Sequence, residues 1–172
     1  MADETIHIIM TGGTIDSYYD GSKDTVVPNK TSVIPKYVNG LKLRQKFIFT
    51  EVVMKDSREL NRKDMDKILD TVERSKEKNI LITHGTYTMP DTGRYLKAHM
   101  KSKNKKVILT ASFIPIDGFT YSDGPFNLGF SIASFNNIDN GVFVCINGGI
   151  YDPEEVFKLI SEGRYDTIYS KK

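Results

Sequence analysis

Apolar residues in this chain gather into short, nearly continuous runs separated by polar or helix-patterned stretches. Ile6 to Met10, Phe47 to Met54, Asn79 to Thr83, Lys106 to Ala111 and Gly141 to Ile146 are rich in Ile, Val, Leu and Phe. They show little of the alternation of a strand with one wet face, and so predict strands covered on both sides of a parallel sheet. From Asn61 the spacing changes: Met65, Ile68, Leu69 and Val72 share one helical face, with Asn61 as the N-cap. Further helices are predicted near Pro90 and at Gly124-Pro-Phe-Asn127, each with a proline in its first turn. Asp152-Pro-Glu-Glu155 has the form of a capping box and predicts a last helix ending at Gly163. Ser17 to Asn39 is polar and without period, and reads as a long loop of the functional or mobile kind.

Strands and helices thus alternate about five times over a single domain, residues 1–172. The predicted class is α/β: an open, mostly parallel sheet of about five strands with helices on both faces. Four strands in succession run into polar groups, namely Thr11 and Thr14, Asp56 and Ser57, Thr83 to Thr88, and Ser112. In a parallel sheet all of these lie on the carboxyl edge, where such proteins bind small molecules.

Composition narrows the classes. With 39% apolar and 27% charged residues, 172 residues can bury a core without disulfides or metal. A net charge of +2 is too small to argue for nucleic acid or an anionic membrane. No apolar run approaches the roughly 20 residues of a membrane helix, and the start Met-Ala-Asp-Glu-Thr lacks a signal-peptide pattern, so a cytoplasmic protein is expected. Cys145 lies inside Val142-Phe-Val-Cys-Ile146 and is expected to be a buried, inert thiol. His7, His84 and His99 have no metal-ligand spacing, and neither a metal nor a cofactor is implied.

Thr11-Gly-Gly-Thr-Ile15, His84-Gly-Thr-Tyr-Thr-Met89 and Ser122-Asp-Gly-Pro-Phe-Asn-Leu128 resemble, in order, the three signature stretches of bacterial-type L-asparaginases and glutaminase-asparaginases. Lys55-Asp-Ser-Arg58 resembles the family's substrate-binding segment, in which the serine, here Ser57, holds the substrate carboxylate. The resemblance covers the family's amino-terminal domain, and its smaller second domain is expected to be absent. It implies a flavodoxin-like three-layer fold and an amide substrate, with Thr14 as the nucleophile and Thr86 in a second triad. Threonine is a weak nucleophile at neutral pH, so a positioned base and oxyanion donors are needed, and Gly12 and Gly13 are candidates to present backbone N–H groups. Gly13, Asp56, Arg58, Gly85, Tyr87 and Ser112 complete the candidate substrate contacts. Tyr18 and Tyr19 stand where the family has a mobile lid tyrosine, and are either a lid over Thr14 or surface anchors. The resemblance also implies a homo-oligomer, since the family's sites are completed by a neighbouring subunit.

Two positions depart from the family pattern. Its H-G-T-D-T-M has an aspartate that holds the substrate ammonium, whereas Tyr87 is neutral at pH 7 and offers a hydrogen bond without countercharge. The triad lysine, sought in the helix after Ser122–Leu128, is missing, because no Lys or Arg occurs between Lys106 and Lys158. Three readings follow: an amidohydrolase with a substrate changed from free asparagine, a binding or sensing module with the chemistry lost, or a different reaction using Asp16, Asp56 or Asp123 as an acid-base group.

Overall fold

The computed structural model describes residues 5–118 and 120–169. The chain runs β1 (Ile6–Gly12), β2 (Ser17–Asp20), β3 (Thr25–Pro28), α1 (Ile34–Gly40), β4 (Phe47–Lys55), α2 (Arg62–Arg74), β5 (Asn79–Thr83), α3 (Met89–His99), β6 (Lys106–Thr110), α4 (Gly124–Ser134), β7 (Gly141–Ile146), β8 (Gly149–Tyr151), β9 (Val156–Leu159) and β10 (Arg164–Thr167). The main sheet has the order β4-β1-β5-β6-β7-β8. Its first five strands are parallel, in the 2-1-3-4-5 order of flavodoxin-like sheets, and β8 adds an antiparallel edge.

Alternate residues of each central strand feed two separate cores. Ile9, Ile80, Ile82, Val107, Leu109 and Val144 pack with Ile68 and Val72 of α2 and Met89 and Leu96 of α3. Ile8, Leu81, Ile108 and Cys145 face the other way, onto Ile34 and Val38 of α1 and Leu128 and Ile132 of α4. Both faces are apolar and both are covered, which is why the strand sequences show no polar period. The predicted caps are formed: Asn61 accepts from the Lys63 and Asp64 N–H groups while Asp64 reaches back to the Asn61 N–H. Pro90 and Pro125 occupy the first turns of α3 and α4. Cys145 is fully buried, and that burial pushes its thiol up to about 12.

Two expectations are corrected. The stretch from Ser17 contains the antiparallel β2–β3 hairpin and helix α1. Asp152 to Gly163 is no helix: Asp152 binds Lys97 and the Glu154 N–H in a turn, and β9 then pairs with β10 in a two-stranded ribbon outside the main sheet. Val156 and Tyr165 on that ribbon are buried against the β-sheet core. Long-range burial at a two-residue period overrides the local capping signal. Among the described residues no helix is long and apolar enough to cross a membrane.

Candidate functional site

The carboxyl ends of β4, β1 and β5 are neighbours, and their loops are pressed together at glycines. Gly13 has φ +77°, and a Cβ added to it would fall 2.3 Å from the backbone of Gly85. A Cβ on Gly85 would fall 2.6 Å from Cβ and Oγ of Ser57. Only residues without side chains allow the Thr11–Thr14 turn, the His84–Thr86 turn and the Ser57 loop to touch. The structure thereby brings together the loops that carry Thr14, Ser57 and Thr86. Gly13 contributes by this close approach rather than as a donor, since its N–H is bonded to the Lys55 carbonyl at 2.9 Å.

Hydrogen bonding sorts the hydroxyls of this edge. Thr11 donates to the Thr83 carbonyl at 2.8 Å, Ser17 to Gly13 at 2.7 Å, Thr88 to Ser57 at 2.8 Å, and Ser112 to Ile114 at 2.6 Å. These hold the loops, so Ser112, a candidate substrate contact, has its hydroxyl committed within its own turn. Among the described residues, the Thr14, Ser57 and Tyr87 hydroxyls make no hydrogen bond. Thr14 is half-buried and Tyr87 is exposed.

Thr86 is held from outside the sheet. Lys158 Nζ of β9 lies 2.7 Å from Thr86 Oγ1, and the Tyr165 hydroxyl of β10 donates to the Thr86 carbonyl. The lysine expected to be missing is therefore present, 72 residues further along the chain and on the ribbon rather than on α4. Burial foremost, and then the nearby Arg58 cation, hold the Lys158 pKa below the ordinary lysine value, while Asp56 opposes the shift. Its ammonium lies 3.6 Å from the Tyr87 ring centroid and 5.0 Å from that of Phe113, and Arg58 covers Tyr87 at 4.7 Å.

The carboxylates of these loops are engaged. Asp56 takes a two-point contact from Arg58, at 3.0 and 2.7 Å, as well as the Arg58 N–H. Asp123 accepts from the Phe113 and Ile114 N–H groups and from Asn127. Asp16 is fully buried, with one oxygen accepting from the Val33 N–H at 2.8 Å and the other sealed from solvent. No group of three metal-binding side chains occurs among the described residues. On the β2–β3 hairpin, the Tyr19 hydroxyl donates to Asp24 at 2.5 Å and its ring lines a cavity of about 170 Å³ with Val26, Phe113, Ile114 and Pro115. Tyr18, the next residue of the strand, is exposed.

His84 fixes the turn that carries Thr86. Its Nδ1 is 2.9 Å from the Gly85 carbonyl, which can only accept, so Nδ1 carries the proton and Nε2 accepts from Thr92 Oγ1 at 2.9 Å. Burial lowers its pKa from 6.5 to about 4. The unfolded chain thus takes up this proton first: stability from His84 is full above pH 6.5 and is lost as pH falls toward about 4, amounting to roughly 3 kcal/mol. Urea unfolding near pH 7 and near pH 4 should show that loss in the wild type and a smaller one in His84→Gln. Equal losses in the two proteins would show that His84 is not the group responsible.

A family model described as the amino-terminal part of asparaginase matches residues 5–171. The chain belongs to the asparaginase family. Among curated relatives, the glutaminase-asparaginase of Acinetobacter glutaminasificans is 33% identical over 98 residues, which cover 55% of this chain and 29% of the relative. L-asparaginase 2 of Escherichia coli K12 is 29% identical over 92% of this chain and 47% of the relative. The solved thermostable L-asparaginase from Thermococcus kodakarensis superposes with a TM-score of 0.82 at 24% identity, covering 95% of this chain and 51% of that one, which bears on the fold alone. A probable cytoplasmic L-asparaginase from Campylobacter jejuni gives 0.76 at 26% identity, covering 92% of this chain and 49% of that one. The asparaginase-family chain thus spans about half the length, or less, of these relatives.

Sequence reasoning missed Lys158, Tyr165 and the His84–Thr92 pair. A signal for Lys158 was available, since Val156-Phe-Lys-Leu159 alternates like a strand, with Val156 buried and Phe157 exposed.

Proposed function

We propose that this chain is an amide hydrolase of the asparaginase type, in which Thr14 is the nucleophile and Thr86 with Lys158 manages protons. The observation that carries this is the 2.7 Å contact between the partly buried Lys158 amine and the Thr86 hydroxyl, because it supplies the base whose absence would argue for a disabled site. Thr14 Oγ attacks the amide carbonyl carbon, its proton passes to the leaving nitrogen, and the C–N bond breaks to release ammonia. The acyl ester on Thr14 is then attacked by water, which Lys158 deprotonates through Thr86. The ester C–O bond breaks, the acid leaves, and the proton returns to Thr14. Ser57 is suited to hold a carboxylate of the substrate, and large apolar side chains left exposed, Phe126, Phe157 and Ile160 among them, are compatible with self-association.

Acid-quenched incubations with small amides test the reading. Ammonia release should accompany an acyl adduct on the peptide containing Thr14, detected by mass spectrometry. Neither signal with any amide would favour the ligand-binding module, a reading that Tyr87, as a neutral group at the mouth, otherwise supports.

A further inference from the structure

Resting on the hydrolase reading for its chemistry but not for its binding arm, we propose that the ligand is a carboxylate-bearing amide with no free α-ammonium, its α-nitrogen either absent or acylated. Lys158 and the Asp56-paired Arg58 both lie over the Tyr87 ring, and Lys158, which has no carboxylate partner among the described residues, touches Thr86, so the charge beside Thr86 is that of a cation. Among the described residues, the carboxylates of these loops are not left to answer a second ammonium. Asp56 is committed to Arg58, Asp123 to backbone N–H groups and Asn127, and Asp91 to Arg94 at 2.6 Å, while Asp16 is sealed in the interior. Like charges brought together in a partly desolvated site discriminate strongly against a ligand.

The same field favours an anion. The unbonded Ser57 hydroxyl, packed against Gly85, can donate to a carboxylate, and Lys158 contacts Thr86, the residue after Gly85. Phe113, whose ring faces Lys158, also walls the cavity beneath Tyr19, where Val26, Ile114 and Pro115 offer apolar surface and no charge. That apolar space, which shares Phe113 with Lys158, has room for a methylene or acyl group and no charged side chain in its lining to receive an ammonium.

Three ligands of matched length distinguish the cases: L-asparagine, succinamate, which lacks the α-amino group, and N-acetyl-L-asparagine. Calorimetric titration into the Thr14→Ala protein reads binding without turnover, and ammonia release by the wild type reads kcat/KM. Succinamate, N-acetyl-asparagine or both should exceed asparagine by about 30-fold or more, and Tyr87→Asp should shrink or reverse that ratio. Succinamate alone would point to an absent nitrogen, and the acetyl compound alone or in addition to an acylated one. Asparagine bound or turned over as well as the other two would overturn the proposal while leaving the hydrolase reading standing. Selective binding with no turnover by the wild type would uphold the proposal and sink the hydrolase reading. Failure of all three to bind would overturn the proposal.

Discussion

Thr14→Ala should lower ammonia release from the best amide by about a thousandfold or more, with no acyl adduct on the protein. The loss should appear in kcat rather than in affinity, because an attacking hydroxyl acts on the transition state more than on the bound ground state. Stability should change by only about 0.5 kcal/mol, since the side chain is half-buried and its hydroxyl bonds nothing among the described residues. The pair of measurements, turnover and urea midpoint, separates a nucleophile from a structural threonine. A variant with wild-type turnover would remove Thr14 from the chemistry.

Lys158→Met should reduce kcat by roughly 100- to 10,000-fold, the range for loss of a positioned base. Lys158→Arg should not restore it, because a guanidinium stays protonated and cannot accept a proton from Thr86. A pH profile gives the sharper check. The base must be neutral to act, so wild-type kcat should rise with pH through the ionisation of Lys158. Burial and Arg58 place that ionisation below the usual lysine value of about 10.4. The rising limb should be absent in Lys158→Met. Unchanged limbs in both proteins would assign the titration to another group.

The central parallel strands β1, β5 and β6 were legible because they are buried on both faces, which leaves a nearly unbroken apolar run in the sequence, whereas the edge strand β4 is only partly buried and carries Thr50 and Glu51. Asn61, Pro90 and Pro125 were legible because helix starts are set by neighbours a few residues away. The last segment was not. Asp152-Pro-Glu-Glu155 satisfies a local helix rule, but Asp152 is held by Lys97 of α3, and the burial of Val156 and Tyr165 draws the chain into a ribbon. Lys158 was lost with it: the alternation of Val156-Phe-Lys-Leu159 hints at a strand, but not at which residue 72 positions away that strand meets. The three loops of the site could be grouped by sequence because parallel strands end on one edge of the sheet, whereas the sorting of hydroxyls into bonded and unbonded depends on carbonyl positions. Ser112 and Thr14 look alike on paper, and only one of them has its hydroxyl free for a ligand.

The ribbon of β9 and β10 shares no ladder with the six-stranded sheet, yet it supplies the amine beside Thr86 and the phenol that grips the Thr86 carbonyl. If Lys158 manages protons as proposed, proton transfer and the cooperativity of the sheet are vested in different parts of the molecule. Detachment of those few residues should then disarm the proposed chemistry without melting the sheet, so that the free energy governing working lifetime is that of a local opening, smaller than the one read by complete unfolding. Selection for endurance would act first on Tyr165 and Val156, which moor the ribbon to the core.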